Sequence, residues 1–269
     1  MSFISLGPLD IAIAALLLVL NAVFSMIMRL NLEKRMAVAA ARMVVQLVLM
    51  GLVLKTLFDL ASPFLTAGVA VFMVLFAGRE AMARQTRTFT GWWSYGLGTT
   101  SMLIAGAVVT IFALTTQVRP DPWYEARVAL PLLGMILGNT MNGIALGIDR
   151  LLNGAARERL AIESRLALGH DKAQAFGGVV REALRSGMIP TINAMSAVGL
   201  VSIPGMMTGQ ILAGIEPMEA VKYQLLIMFL IAGGTALGVM GAVLGGVRRL
   251  SDDRHRLRLD RLTPEKGKA

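Results

Sequence analysis

Cysteine is absent from the 269 residues, and histidine occurs only at positions 170 and 255. Without thiols there are no disulfides and no thiolate metal sites. Both histidines fall in polar segments, which excludes a histidine-based metal site inside a membrane. Charged residues make up 16% of the chain, against roughly a quarter in soluble domains. No G-x-x-x-x-G-K-[ST] phosphate loop occurs, so these residues contain no Walker-type cradle for ATP. No Lys or Arg precedes Arg29. The start therefore lacks the charged segment of a cleavable signal peptide, and the first apolar segment is expected to remain as a span.

What is abundant is apolar. Hydrophobic residues reach 55% and arrive in runs of about 20, the length that crosses a hydrocarbon core of ~30 Å. The expected fold is all-α: a polytopic helical membrane protein with about seven transmembrane helices. They are placed at about 9–28, 36–57, 63–83, 94–116, 128–148, 187–213 and 221–247. Residues 1–247 form the transmembrane domain, with a polar loop at 149–187 inside it. Residues 248–269 form a charged tail, expected to be mobile beyond its first turns.

Charge orients the spans. The segments 29–35, 84–93, 149–186 and the tail, with Arg79 at the membrane edge, carry nearly all of the 26 Lys and Arg. The alternate set holds only Lys55, Arg119, Arg127 and Lys222, while Arg42 lies within a span. The positive-inside rule then puts the N-terminus outside and the C-terminus in the cytoplasm of a multi-pass inner-membrane protein. The net charge of +9 is read as a topogenic and lipid-headgroup signal, not as a nucleic-acid surface. Trp92, Trp93 and Trp123 fall at the predicted interfaces, where such rings concentrate.

The loop 149–187 is polar but patterned. Leu160, Ile162, Leu166 and Leu168 alternate with charges in an amphipathic helix. Gly169 suits a helix C-terminus, and Asp171 suits the cap of a second helix bearing Ala175, Phe176, Val179, Val180, Ala183 and Leu184. Glu163, followed six residues later by Gly169 and then by Ala175-Phe176, resembles the coupling loop of bacterial ABC importers. That resemblance implies an ATPase-docking loop of Glu163, Leu166, Gly169, Ala175 and Phe176. The plainer reading is a linker helix lying on headgroups.

Polar groups inside a bilayer are costly and tend to face the bundle or a wet path. Met135, Asn139, Asn142 and Leu146 form one stripe along the fifth span, ending at Asp149. Asn193 and Ser196 share a face of the sixth, and Pro204-Gly205 is expected to break the helix beside Met206, Met207 and Gln210. The candidate substrate path is Met135, Asn139, Asn142, Asn193, Ser196 and Met206, with hinges at Pro190, Pro204 and Gly205. Interhelical hydrogen bonding, worth ~0.6–2 kcal/mol per contact, is the competing account of the same residues. The 18 Met raise thioether coordination, for which Met135, Met141, Met195 and Met206 are the group to inspect. No residue is assigned as a metal ligand, none as catalytic and none as cofactor-binding. Glycine pairs at 134/138, 143/147, 205/209, 234/238 and 241/245 signal close helix packing, above all in the last span.

The strings FAGREAMARQTR (76–87), PLLGMILGNTMNGIALGIDR (131–150), ALGHDKAQAF (167–176), VREALRSGMIPTINAMSAVGLVSIPGMMTGQILAG (180–214) and AVKYQLLIMFLIAGGTALGV (220–239) resemble the FetB-like family of ABC transporter permeases. These are bacterial iron exporters with plant relatives in aluminium tolerance. The resemblance implies a membrane permease subunit, working as a homodimer with a separate cytoplasmic ABC ATPase that holds the ATP and Mg. It favours export of a metal ion, iron first, and implies no enzyme activity in this chain itself. Likeness to importer coupling loops points instead to uptake. A motor-independent secondary transporter is the other alternative, and it fits poorly with the lack of acidic residues deep in the spans.

Overall fold

The computed structural model describes residues 7–60, 62–252 and 254–264. Position 253 and the predicted tail's last residues, 265–269, lie outside them. The fold is all-helical, with no strand among the described residues. Among the described residues, six helices are long and apolar enough to cross a membrane. The chain divides into two compact units, Met1–Ala61 and Ser62–Ala269.

The first unit is a helical hairpin of α1 (Pro8–Ile27) and α2 (Glu33–Leu60). Pro8 opens α1, where its fixed φ and missing N–H cost nothing. Buried Ser25 ties the turn together. Its hydroxyl accepts from the Leu32 N–H at 3.0 Å and donates to Glu33 Oε2 at 3.3 Å. The apolar side chains of both helices are largely exposed, as expected of helices that bury themselves in lipid.

The second unit holds α3 (Pro63–Ala83), α4 (Trp93–Phe112), α5 (Ala126–Arg157), α6 (Arg159–Ala167), α7 (Lys172–Ala197), α8 (Gly205–Leu212) and α9 (Pro217–Leu250). A π-helical turn, Ala113–Val118, extends α4 and ends at Arg119 in the left-handed region. Helix α5 is central, packing against α9, α7, α3 and α4. One core cluster runs through Ile144, Ile148, Leu151, Phe176 and Val243, and a second through Val109, Leu132, Ile136 and Ile227. At 32 residues, α5 is about 48 Å long, so it projects beyond a ~30 Å hydrocarbon layer.

Glycines set the closest approaches. A Cβ on Gly143 of α5 would lie 2.9 Å from the Gly187 carbonyl of α7, and one on Gly187 would lie 2.6 Å from Val239 of α9. The backbones of α5 and α7 therefore meet at two glycines, with the Val239 side chain of α9 packed over the contact. Gly234 and Gly238 face Ile136 and Thr140 of α5, and Gly245 faces Leu97 of α4, so the last span is a tight-packing face. The predicted pair 205/209 meets nothing within 4 Å.

Two expectations need correction. The predicted span 187–213 is not one helix. Helix α7 starts in the polar loop, runs through Pro190 and stops at Ala197, and the chain then turns before the short α8. Gly199 takes φ +88° in that turn, a conformation that side chains resist, and its N–H bonds the Ser202 carbonyl at 2.9 Å. The tail, expected to be mobile, folds back on its own unit. Leu257, Leu259 and Leu262 pack on the first core cluster. The Thr263 N–H bonds the Thr88 carbonyl at 2.8 Å, and the Thr90 N–H bonds the Arg261 carbonyl at 2.9 Å. Burial of three leucines outweighs the solvation that its charges would gain in a free tail.

Candidate functional site

The polar stripe of α5 lies where the spacing put it, but it is engaged unevenly. Asn139 Nδ2 donates to its own helix at the Met135 carbonyl, 2.8 Å away. Asn142 is exposed and accepts from Arg84, just after α3. Asp149 Oδ1 accepts from both the N–H and the hydroxyl of Thr86, each at 2.7 Å. Asn153 Nδ2 then donates to Thr86 Oγ1 at 2.8 Å and to the Asp149 carbonyl at 2.9 Å. The connector after α3 is thus stitched along α5 from residue 142 to residue 153. Thr86 and Asn153 were not singled out from sequence.

The other path residues divide between surface and core. Asn193 and Ser196 are exposed on α7, Ser196 bonding the Ile192 carbonyl at 3.0 Å. Met135 and Met206 pack on the second core cluster, Met141 packs on the first, and Met195 is exposed. Among the described residues no three His, Asp or Glu side chains gather as a metal site. Pro190 sits within continuous α7, whereas Pro204 caps α8 and Gly205 begins it. The chain reversal there centres on Gly199. An apolar groove of about 450 Å³ between α3, α4 and α5, lined by Phe64, Thr110 and Trp123 among others, carries no charged side chain.

Helices α6 and α7 form a hairpin that follows the end of α5, with α7 packing back along α5. Gly169 takes φ +89° after α6, the left-handed C-terminal conformation. Asp171 caps α7, accepting the Gln174 N–H at 2.7 Å while Gln174 Oε1 accepts from the Asp171 N–H at 3.3 Å. Arg165 donates to the Ala175 carbonyl at 3.1 Å, fastening α6 to α7. Arg150 pairs with Glu182, and Arg157 lies 3.8 Å from the same carboxylate. Ala175, Phe176 and Ile162 are fully buried in the first core cluster.

That burial locates the sequence-derived docking residues. Ala175 and Phe176 form the root of the hairpin, and Leu166 packs partly on the same core. Glu163 pairs with Arg159 at 2.9 Å, and Gly169 is exposed at the tip. The outward apolar groups are Leu160 and Leu168, 78% and 79% exposed among charges. Their exposure is a tertiary property that periodicity alone does not give.

These features occur on a chain whose residues 8–251 match the profile of the uncharacterised protein family UPF0014. The chain belongs to the UPF0014 family. A UPF0014 membrane protein of Synechocystis is 38% identical over 75% of this chain and 77% of its own length. The Escherichia coli protein named "Probable iron export permease protein FetB" is 31% identical over 92% and 93%. The Arabidopsis thaliana protein ALUMINUM SENSITIVE 3 is 30% identical over 86% and 82%. No solved structure matches the chain. The family match covers α1 to the end of α9, so the hairpin and the α5 stripe both lie inside the UPF0014 region.

Proposed function

We propose that this UPF0014 protein is the membrane-spanning permease subunit of an ABC transporter. It exports a metal ion, iron favoured, on ATP hydrolysed with Mg by a separate cytoplasmic ATPase. It sits in the inner membrane with its C-terminus and the α6–α7 hairpin in the cytoplasm. The observation that carries the reading is the hairpin, which exposes Leu160 at the start of α6 and Leu168 at its turn while Phe176 and Ile162 are buried in the first core cluster. A force on that turn moves α5 and α7 as one body, because Phe176 and the Glu182 ion pairs tie the two helices. The E. coli relative's transport name supports the direction.

Asn142, Asn193 and Ser196 face out of a single chain. A closed polar path therefore needs a second wall, and a second copy of the same chain supplies one with matching chemistry. Helix α5 turns hairpin motion into a change of that path, because its polar stripe and the hairpin root share one rod.

The test is co-purification of the full chain with the cytoplasmic ABC ATPases of its host, with and without Leu160→Asp and Leu168→Asp. Loss of ATPase association with unchanged thermal melting is the expected result. Equal association in the variant, or metal flux driven by the chain alone in liposomes, would refute the reading. The lack of native cysteine makes Leu168→Cys a clean topology probe. Labelling from the outer side would overturn the orientation.

A further inference from the structure

A second site lies where α4 begins and α9 ends, on the end of the second unit that carries the basic loops. The Arg249 guanidinium carbon sits 4.5 Å from the centroid of the Trp93 ring, within cation–π range. Arg249 Nε is buried without a hydrogen-bond partner. Both described carboxylates of the adjoining strap have partners. Asp260 receives Arg258 Nε and Nη2 at 2.8 Å each, and Asp252 receives Arg256 Nε at 2.8 Å. Arg261 spends one nitrogen on the carbonyls of Arg249 and Ser251, at 2.8 and 3.4 Å. Exposed Arg248 adds a further cation. Arg249 thus lies beside the guanidinium groups of Arg258 and Arg261, with Asp260 near enough to favour its charge but already paired with Arg258.

Depth decides what anion it meets. Trp93 is the first residue of one candidate span, and Arg249 is the penultimate residue of another. In contact with each other, they join the ends of two candidate spans, where a membrane boundary is expected. Trp92, beside them, is 83% exposed, and an indole at such a boundary settles among headgroups. Guanidinium recognises phosphate by paired donors, and basic pockets at helix ends collect anionic headgroups.

We propose that Arg249 and Arg261, floored by Trp93 and flanked by Trp92, hold the phosphate of an anionic phospholipid. The strap 251–263 builds this site by delivering Arg261 to the end of α9. This inference needs only insertion in a membrane and stands apart from the ATP-driven reading.

The test is native mass spectrometry of the full chain, released from nanodiscs containing equal phosphatidylglycerol and phosphatidylcholine. Wild type is expected to retain phosphatidylglycerol preferentially. Arg249→Ala should lower that preference about fivefold, the equivalent of ~1 kcal/mol per surface cation. Arg249→Lys should restore part of it, and Arg254→Ala, an equal loss of charge on the exposed strap, should change it less than about twofold. If Arg249→Ala misfolds, Arg249→Gln carries the same expectation. Equal loss in the Arg249 and Arg254 variants would mean diffuse attraction and would sink the proposal. So would displacement of the lipid by millimolar inorganic phosphate, which would make this a free-anion site.

Discussion

Thr86 presents both its backbone N–H and its hydroxyl to one carboxylate oxygen of Asp149, each at 2.7 Å. That pair fixes the connector after α3 to the basic end of α5, and Asn153 closes the loop by reaching both partners. Asp149 is therefore occupied by the protein's own donors. Through Oδ1 it acts as a clamp between α5 and the connector after α3.

The clamp predicts a non-additive mutant series. Asp149→Ala should cost about 1–2 kcal/mol, below the upper range for hydrogen bonds to charged groups because the site is wet. Asp149→Asn should cost less, since an acceptor remains. Thermal melting of Thr86→Ala with Asp149→Ala should match the more harmful single variant. Additive losses would show that the two residues act separately.

The glycine contact between α5 and α7 predicts a graded series. Gly143→Ala places a methyl 2.9 Å from the Gly187 carbonyl and 2.8 Å from the Thr235 methyl. It should destabilise by about 1–3 kcal/mol, as overpacking does. Gly209→Ala meets nothing within 4 Å and should gain up to about 0.5–1 kcal/mol from helix propensity. Denaturant melting of the two variants side by side measures the contrast.

At the hairpin, burial predicts opposite roles for two apolar residues. Phe176→Ala empties a fully buried site and should cost about 3–5 kcal/mol. Leu168→Ala removes an exposed side chain and should shift stability by less than about 0.5 kcal/mol. Similar melting temperatures for both would contradict the assignment of root and tip.

The strap carries a signed dependence on pH. The hydrogen bond from Arg258 holds Asp260 below its usual value of 3.8, at about 2, and the Arg256 N–H lowers Asp252 in the same direction. A carboxylate depressed on folding stabilises at any pH above its unfolded value, and that contribution disappears as pH falls through the folded value. Hydrogen-exchange protection across 251–263 should hold from neutral pH to about pH 4 and decline towards about pH 2. Asp260→Asn should show weaker protection already at neutral pH.

Sequence carried most of the membrane architecture because hydropathy and helix length are tied to bilayer thickness. Helix α3 begins at Pro63 and ends at Ala83, as read from the residues alone. The sixth predicted span is divided as expected before Gly205, but the break begins earlier, at Val198, because apolar composition does not register the left-handed turn at Gly199. It also started late, since α7 is polar at its first turns and already helical from Lys172. The α5 stripe was legible from i, i+4, i+7 spacing. Thr86 was not, because a hydroxyl in a non-periodic connector gives no signal until the fold brings Asp149 beside it. The tail misled by charge, since Leu257, Leu259 and Leu262 are too sparse to outweigh the surrounding Arg and Asp in composition. Gly187 belonged to no glycine pair, yet it meets Gly143 more closely than most paired glycines meet anything.

The bond between Thr88 and Thr263 joins positions 175 residues apart in sequence. Phe89, buried beside Leu262, can therefore complete its packing only once the last leucine of the strap has been made. An epitope or fluorescent fusion placed between α9 and Thr263 would interrupt that last stitch.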